Sequence, residues 1–258
     1  MITKALINDF AIRSFRDTAD GDYIAARMAF RAALYQQFFW ASQQAVEKYL
    51  KCILLLNRIS AKKMFHDLCD GVDKINKEGK FRLRLSPECQ NFIEYLSMYG
   101  SHRYFETSYY SMGSEIFVLD RTVWELRRYC TVLDYSLKKS DGQLKEMLAV
   151  ELRRIEQSEN DLPQKFALSA GYLEKIIKDE EHPARKSLIW KNLFFGNSRR
   201  AKVRHGRRFY SANAPLFLHP EILDELCEYV YIPKSIIKAY KNSSREKTKG
   251  SDPVNSLS

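Results

Sequence analysis

Between Asp22 and Asn57 the chain runs DYIAARMAFRAALYQQFFWASQQAVEKYLKCILLLN without a glycine or a proline. No other stretch restricts the fold as strongly. With no helix breaker, the segment predicts one long helix, with Gly21 as a turn and Asp22 as its N-cap. Phe39, Val46, Leu50, Ile53 and Leu54 recur near the helical period and form a core face. Gln44, Glu47, Lys48 and Lys51 line the other side. Glu47 and Lys51 stand four apart, in the favourable order for a surface ion pair. The plain reading of that polar stripe is a solvated helix face. The alternative is a surface turned to a partner subunit or a ligand phosphate. A bend is expected near Gln36–Trp40, where Phe38, Phe39 and Trp40 crowd one turn.

The neighbouring segments supply more helices. Residues 1–18 read as a short lead-in helix broken at Ala19–Gly21, and Asn57–Phe65 as a basic connector with Lys62 and Lys63. A second bundle helix is expected from His66 to about Lys77, with His66 capping it or touching the first helix. Ser86-Pro87-Glu88 is a helix start, a cap residue followed by proline at the first helical position, and that helix runs to about Tyr99. Residues 101–113 form a polar, aromatic loop. A last helix is expected over Ser114–Lys138, with Leu119, Val123, Leu126, Cys130, Leu133 and Leu137 as a heptad-like seam and Arg121, Arg127 and Arg128 off it. The fold class is therefore mainly α: an antiparallel helical bundle over residues 1–140. A basic, mostly helical region follows over 141–241, and a polar tail expected to be disordered over 242–258. A small β-hairpin is expected at Val203–Tyr210, around His205-Gly206.

Charge narrows the partners. The 258 residues carry 42 Lys and Arg against 32 Asp and Glu, a net +10, which favours nucleic acid, nucleotide or an acidic partner. Arg199, Arg200, Arg204 and Arg207, with Phe209 and Tyr210 beside them, suit single-stranded RNA, though a solvated basic surface is the commoner use of such a run. The five cysteines form no C-x-x-C pair, so neither a zinc site nor a disulfide framework is expected. No Walker A, dinucleotide, H-E-x-x-H or nucleophile-elbow motif occurs, and no cofactor or metal is expected. With no long apolar run, the expected location is the cytoplasm, without a membrane span.

Three pieces of sequence resemble the HEPN (higher-eukaryote and prokaryote nucleotide-binding) domain. The long helix carries Gln44, Ala45, Glu47, Lys48, Leu50 and Lys51, similar to the family's Gln-Ala-x-Glu-Lys-x-Leu-Lys core. His66-Asp67-Leu68 is similar to its His-Asp-Leu, and Arg103-Tyr104 to the Arg-Tyr before the last bundle helix in one branch. The resemblance covers about residues 20–138 and implies an α-helical bundle, frequent homodimers with functional residues at the dimer cleft, and RNA or nucleotide as ligand. It also implies a setting in bacterial defence or toxin–antitoxin systems.

The nuclease branch uses Arg, four to six residues, then His. Such metal-free cleavage needs a group to manage the 2′-hydroxyl proton and a cation to stabilise charge on phosphorus. Here the motif is not intact in the bundle: Arg103 is followed by Ser108 where the His would fall, and His102 precedes the Arg. A literal match, Arg200 to His205, lies outside the bundle in an arginine-rich run. Enzyme status therefore stays open at this stage. The leading reading is binding of RNA or nucleotide phosphate, with Glu47, Lys51, His66, Tyr104 and the four arginines as binding residues. One alternative is a metal-independent endoribonuclease with His102 and Arg103 as its catalytic pair, and another a non-catalytic adaptor for a cognate protein. Arg103 paired with Glu106, His66 as a mere cap, and Tyr104, Tyr109 and Tyr110 as core aromatics are the structural alternatives.

Overall fold

The computed structural model describes residues 2–62, 64, 66–99, 106–138, 140, 142–196 and 209–249, with Tyr99 and 243–249 as backbone. In chain order the elements are α1 (Ile2–Phe10), a π-helical turn (Ala11–Arg16), α2 (Asp17–Arg31), α3 (Tyr35–Leu56), α4 (Leu68–Glu78), α5 (Pro87–Tyr99), β1 (Tyr109–Ser111), α6 (Glu115–Arg127), β2 (Ser136–Lys138), β3 (Leu144–Glu146), α7 (Leu148–Gln157), α8 (Tyr172–Lys178), α9 (Arg185–Ile189), β4 (Tyr210–Ala212), α10 (Pro215–Leu218), α11 (Leu223–Tyr229) and α12 (Lys234–Lys249). The chain is mainly α, as its periodicity predicts. It divides into two compact units: Met1–Ser101 with Gly113–Arg207, and His102–Met112 with Arg208–Ser258.

In the first unit α3 is the central strut, packed against α2, α4, α5 and α6. The expected long helix is two helices. α2 ends at Arg31, and Ala33 sits in the left-handed region at φ 59°. Leu34 N–H bonds back to Ala29 C=O and Ala33 N–H to Phe30 C=O, the bond pair of a Schellman turn. An alanine there costs roughly 1–2 kcal/mol relative to the right-handed form. Edge-to-face packing of Phe30 on Phe38, centroids 5.0 Å apart, offsets that cost across the turn. The break thus lies a few residues before the crowded aromatic turn where a bend was expected. The pairs Phe30–Phe38, Asp22–Lys48 and Asp20–Tyr49 show that α2 and α3 run antiparallel. Asp22 is thus an ion-pair partner of Lys48 inside α2, not an N-cap. Upstream, helix continues through Ala19–Gly21 without the expected break.

α6 stops at Arg127, well short of the expected Lys138. Cys130 and Leu133 remain buried as the chain leaves the helix, so the seam reports burial there and not helix. Leu137, the last seam position, is half-exposed in β2, which pairs antiparallel with β3 in register Leu137↔Lys145. Gly142, at φ +82°, supplies the left-handed residue of that turn. β3 takes the start of the region expected to be mostly helical, and helix resumes with α7 at Leu148.

Residues 143–196 pack into this same unit through buried charge. Arg127 donates from Nε and Nη2 to the two Asp20 oxygens at 2.8 and 2.9 Å, and from Nη1 and Nη2 to Glu174 of α8 at 2.7 Å each. Tyr49 adds a hydroxyl donor to Asp20 at 2.6 Å. A second network joins Tyr23 and Arg27 of α2 to Asp120 of α6, with Arg27 also donating to the Ser187 and Trp190 carbonyls and Asn192 donating to the Tyr23 hydroxyl. Arg128 caps the end of α7 through the Ile155 carbonyl and Ser158 Oγ, and lies 4.0 Å from the Trp124 ring centre.

The second unit is small. β1 and β4 pair antiparallel with Tyr110↔Ser211 at the centre, and Leu216, Leu223, Ile232 and Ile236 form its core. The hairpin expected at Val203–Tyr210 lies mostly outside the described residues. Its last residue, Tyr210, belongs to β4, whose partner is the distant β1. α12 runs to Lys249, into the stretch over 242–258 where a disordered polar tail was expected.

Candidate functional site

On α3 a spacing of four places Gln43, Glu47 and Lys51 along one helix face. Glu47 is only 5% exposed, so it does not belong to a solvated stripe. The connector after α3 folds back and is fastened at the start of α4. There Asp67 is the N-cap, its Oδ1 accepting from Asp70 N–H at 3.1 Å, and Ser97 of α5 accepts from Leu68 N–H at 3.0 Å. This anchoring sets His66, one residue earlier, against α3. Its Nδ1 lies 2.9 Å from Glu47 Oε2. The other Glu47 oxygen takes Lys51 Nζ, and Gln43 Nε2 donates to Oε2 at 3.2 Å.

Burial opposes ionisation of Glu47, but hydrogen bonds from Lys51 and His66 and their charges outweigh it and hold the carboxyl below its usual range. An ionised carboxylate only accepts, so His66 Nδ1 carries a proton and donates it. That fixes the tautomer and leaves Nε2 as the working atom of a side chain that is 60% exposed. Lys51 is a quarter exposed beside it. The arrangement is an oriented imidazole with an adjacent ammonium. Neutral Nε2 accepts a proton, and protonated Nε2 donates to an anion such as phosphate.

Of the residues expected to serve a site, the structure brings Glu47, Lys51 and His66 together. His66 is not the cap, but it touches α3. Gln44 donates to Gln43 at 2.6 Å, and Lys48 is held by Asp22. His102, Arg103, Tyr104, Arg199, Arg200, Arg204 and Arg207 lie outside the described residues. Ser108, standing where the nuclease branch has His, accepts from Ala214 N–H at 2.9 Å and ties β1 to the start of α10. Tyr110 is not a core aromatic. It is half-exposed and stacks on Phe209 across the β1–β4 pair, centroids 6.4 Å apart. Gln43 was missed: its position relative to Glu47 was readable, but nothing in its type separates a buried amide from a surface one.

The family model of the HEPN domain matches residues 12–131. Residues 12–131 are a HEPN domain. No curated protein and no solved structure matches the chain. The HEPN segment holds α2 to α6 and every residue of the His66–Glu47–Lys51 cluster, while α7 to α9 lie outside the matched stretch yet close its buried networks. The HEPN domain supports a nucleotide- or RNA-related function in general terms. Among the described residues no helix is long and apolar enough to cross a membrane, and no three His, Cys, Asp or Glu side chains gather as a metal site.

Proposed function

We propose that this HEPN protein binds RNA or nucleotide phosphate, with His66 Nε2 and Lys51 as contacts for a phosphate oxygen. The observation that carries the reading is the buried, ionised Glu47 that grips Nδ1 of an exposed imidazole and holds Lys51 next to it. A carboxylate kept below its ordinary range holds the imidazole and the Lys51 ammonium side by side. Arg103 and the basic run Arg199–Arg208 add the cations that a polyanion partner recruits, as their sequence suggests. The family resemblance supports a role in bacterial defence or a toxin–antitoxin-like system, with the protein acting as a homodimer.

Fluorescence anisotropy with a short labelled single-stranded RNA tests this. The dissociation constant rises with salt, with a logarithmic slope of about 0.7 per phosphate neutralised. His66→Ala and Lys51→Ala each weaken binding and flatten the slope. Binding that ignores salt, or that survives both substitutions unchanged, removes the reading.

The oriented imidazole also favours a second reading, metal-independent RNA cleavage. There Nε2 takes the 2′-hydroxyl proton as that oxygen bonds to phosphorus, the bond from phosphorus to the 5′-oxygen breaks, and the 5′-oxygen takes a proton from water. Its products are a 2′,3′-cyclic phosphate and a 5′-hydroxyl. Intact RNA after prolonged incubation at neutral pH with chelator, or cleavage unaffected by His66→Ala, refutes it.

A further inference from the structure

Arg58 stands where a helix end ordinarily takes glycine. Its φ is 62°, its N–H bonds to Leu55 C=O and Ile59 N–H bonds to Leu54 C=O, which makes a Schellman turn at the end of α3. A left-handed arginine costs roughly 1–2 kcal/mol. The guanidinium offsets that by closing the helix end and fastening α1 across it. Nη1 donates to the Leu55 and Leu56 carbonyls at 2.7 and 3.4 Å, and Nη2 to the Lys4 carbonyl and Asn8 Oδ1 at 3.0 and 2.8 Å.

Beside this joint, within the first unit, is a cavity of about 250 Å³ where α1, the end of α3 and the segment after α6 meet. Its polar lining is Lys4, Asn8, Asn57, Arg58, Lys80, Thr131 and Asp134. Lys4 and Asn8 stand four apart on one face of α1, so the Lys4 side chain is on the side that meets Arg58. Lys80 pairs with Asp134, the one acidic residue of the described lining. Three cations against one carboxylate in a recess focus a positive potential.

The donors are in surplus as well. Arg58 keeps its Nε–H, Lys80 two of its three N–H groups and Lys4 all three, while Asn8 keeps its amide NH₂ and Thr131 its hydroxyl. None of these meets an acceptor among the described residues, and Lys4, Arg58 and Lys80 are exposed, so a ligand can reach them. The matching ligand is small, negatively charged and able to accept from several directions at once.

We propose that this recess binds a tetrahedral oxyanion of the phosphate type, held by Lys4, Lys80 and Asn8 with Arg58 behind them. The site is separate from the His66–Lys51 contact and shares no residue with it.

Isothermal titration of inorganic phosphate at pH 8, with ionic strength held constant by sodium chloride, tests it on the full chain carrying Lys51→Ala and His66→Ala. That background silences the other contact, so either reading can fail without the other. One phosphate binds saturably. Adding Lys4→Gln and Lys80→Gln weakens the site about tenfold or more, the scale of a lost charge-assisted hydrogen bond. Adding Asp134→Asn instead tightens it, because the competing carboxylate is gone. Circular dichroism establishes that each variant is folded. No saturable binding in the Lys51→Ala, His66→Ala chain, undiminished affinity once Lys4 and Lys80 are replaced, or weaker binding with Asp134→Asn overturns the proposal.

Discussion

Replacing Arg127 by Met tests how residues beyond the HEPN segment are held to it. Arg127 joins Asp20 of α2 to Glu174 of α8 through four charge-assisted hydrogen bonds. The two carboxylates do not suffer equally. Asp20 is fully buried and, among the described residues, keeps the Tyr49 hydroxyl as its remaining donor. Glu174 is 15% exposed, retains the Leu168 N–H and can rehydrate. The loss is therefore dominated by Asp20, an uncompensated buried charge, at about 3–5 kcal/mol. Against a typical total of about 5–15 kcal/mol this is a large share. With an m-value of roughly 1–3 kcal/mol per molar urea, the midpoint falls by about 1 M or more. Trp40, Trp124 and Trp190 all lie in the first unit, so tryptophan fluorescence follows its unfolding alone. Adding Asp20→Asn to Arg127→Met recovers part of the loss, with a coupling of about 1.5–3 kcal/mol. A cost below about 1 kcal/mol, or additive single changes, refutes the claim that the buried Arg127–Asp20 pair is a main stabiliser of this unit.

Gly171 serves the same network by having no side chain, since a Cβ there would stand 2.0 Å from Glu174 Oε2 and 2.7 Å from Arg127 Nη2. Gly171→Ala therefore lowers the urea midpoint, and an unchanged midpoint counts against the packing. Glu47→Gln destabilises at pH 7 by about 1–2 kcal/mol. Because the folded carboxyl sits below the ordinary 4.5, this contribution is present above that value and lost as pH falls through the folded value, so the variant and wild type converge in acid. Melting curves that stay equally far apart in acid contradict this. Burial pushes the Cys89 thiol up to about 12, while Cys227 is exposed, so thiol labelling at pH 8 has a fast phase that Cys227→Ser removes and Cys89→Ser does not.

The helices were legible where their ends carry chemistry. Pro87 starts α5, and the apolar spacing of the segment after Asn57 located α4 to within two residues. The break between α2 and α3 was not legible, because Arg31–Leu34 contains no glycine, proline or asparagine and the left-handed residue is an alanine. The packing of Phe30 on Tyr35 and Phe38 across the turn offsets its cost, and these pairings are not a periodic signal. The seam Leu119–Leu137 misled because core residues keep their spacing briefly after the backbone leaves the helix.

The buried arginines escaped for a different reason. Arg27, Arg127 and Arg128 are each at most 3% exposed, and a reading by residue type assigns such side chains to the surface. Their partners, Asp20, Asp120 and Glu174, are distant in sequence, so no local spacing announces them. Glu47 and Lys51 were visible as an i, i+4 pair, but the pair read as solvated because His66, which closes over it, comes from the far end of a connector.

The proposed phosphate contact requires that His66 present Nε2 while Glu47 holds Nδ1. Long-range ¹H–¹⁵N spectra of the imidazoles test it most directly, with His66 assigned by His66→Gln among the chain's five histidines. Without ligand, His66 is predicted to show a protonated Nδ1, and single-stranded RNA is predicted to shift its Nε2 resonance saturably while Glu47→Gln abolishes the tautomer preference. A His66 spectrum unmoved by saturating RNA, or a proton on Nε2 alone in the free protein, contradicts the claim.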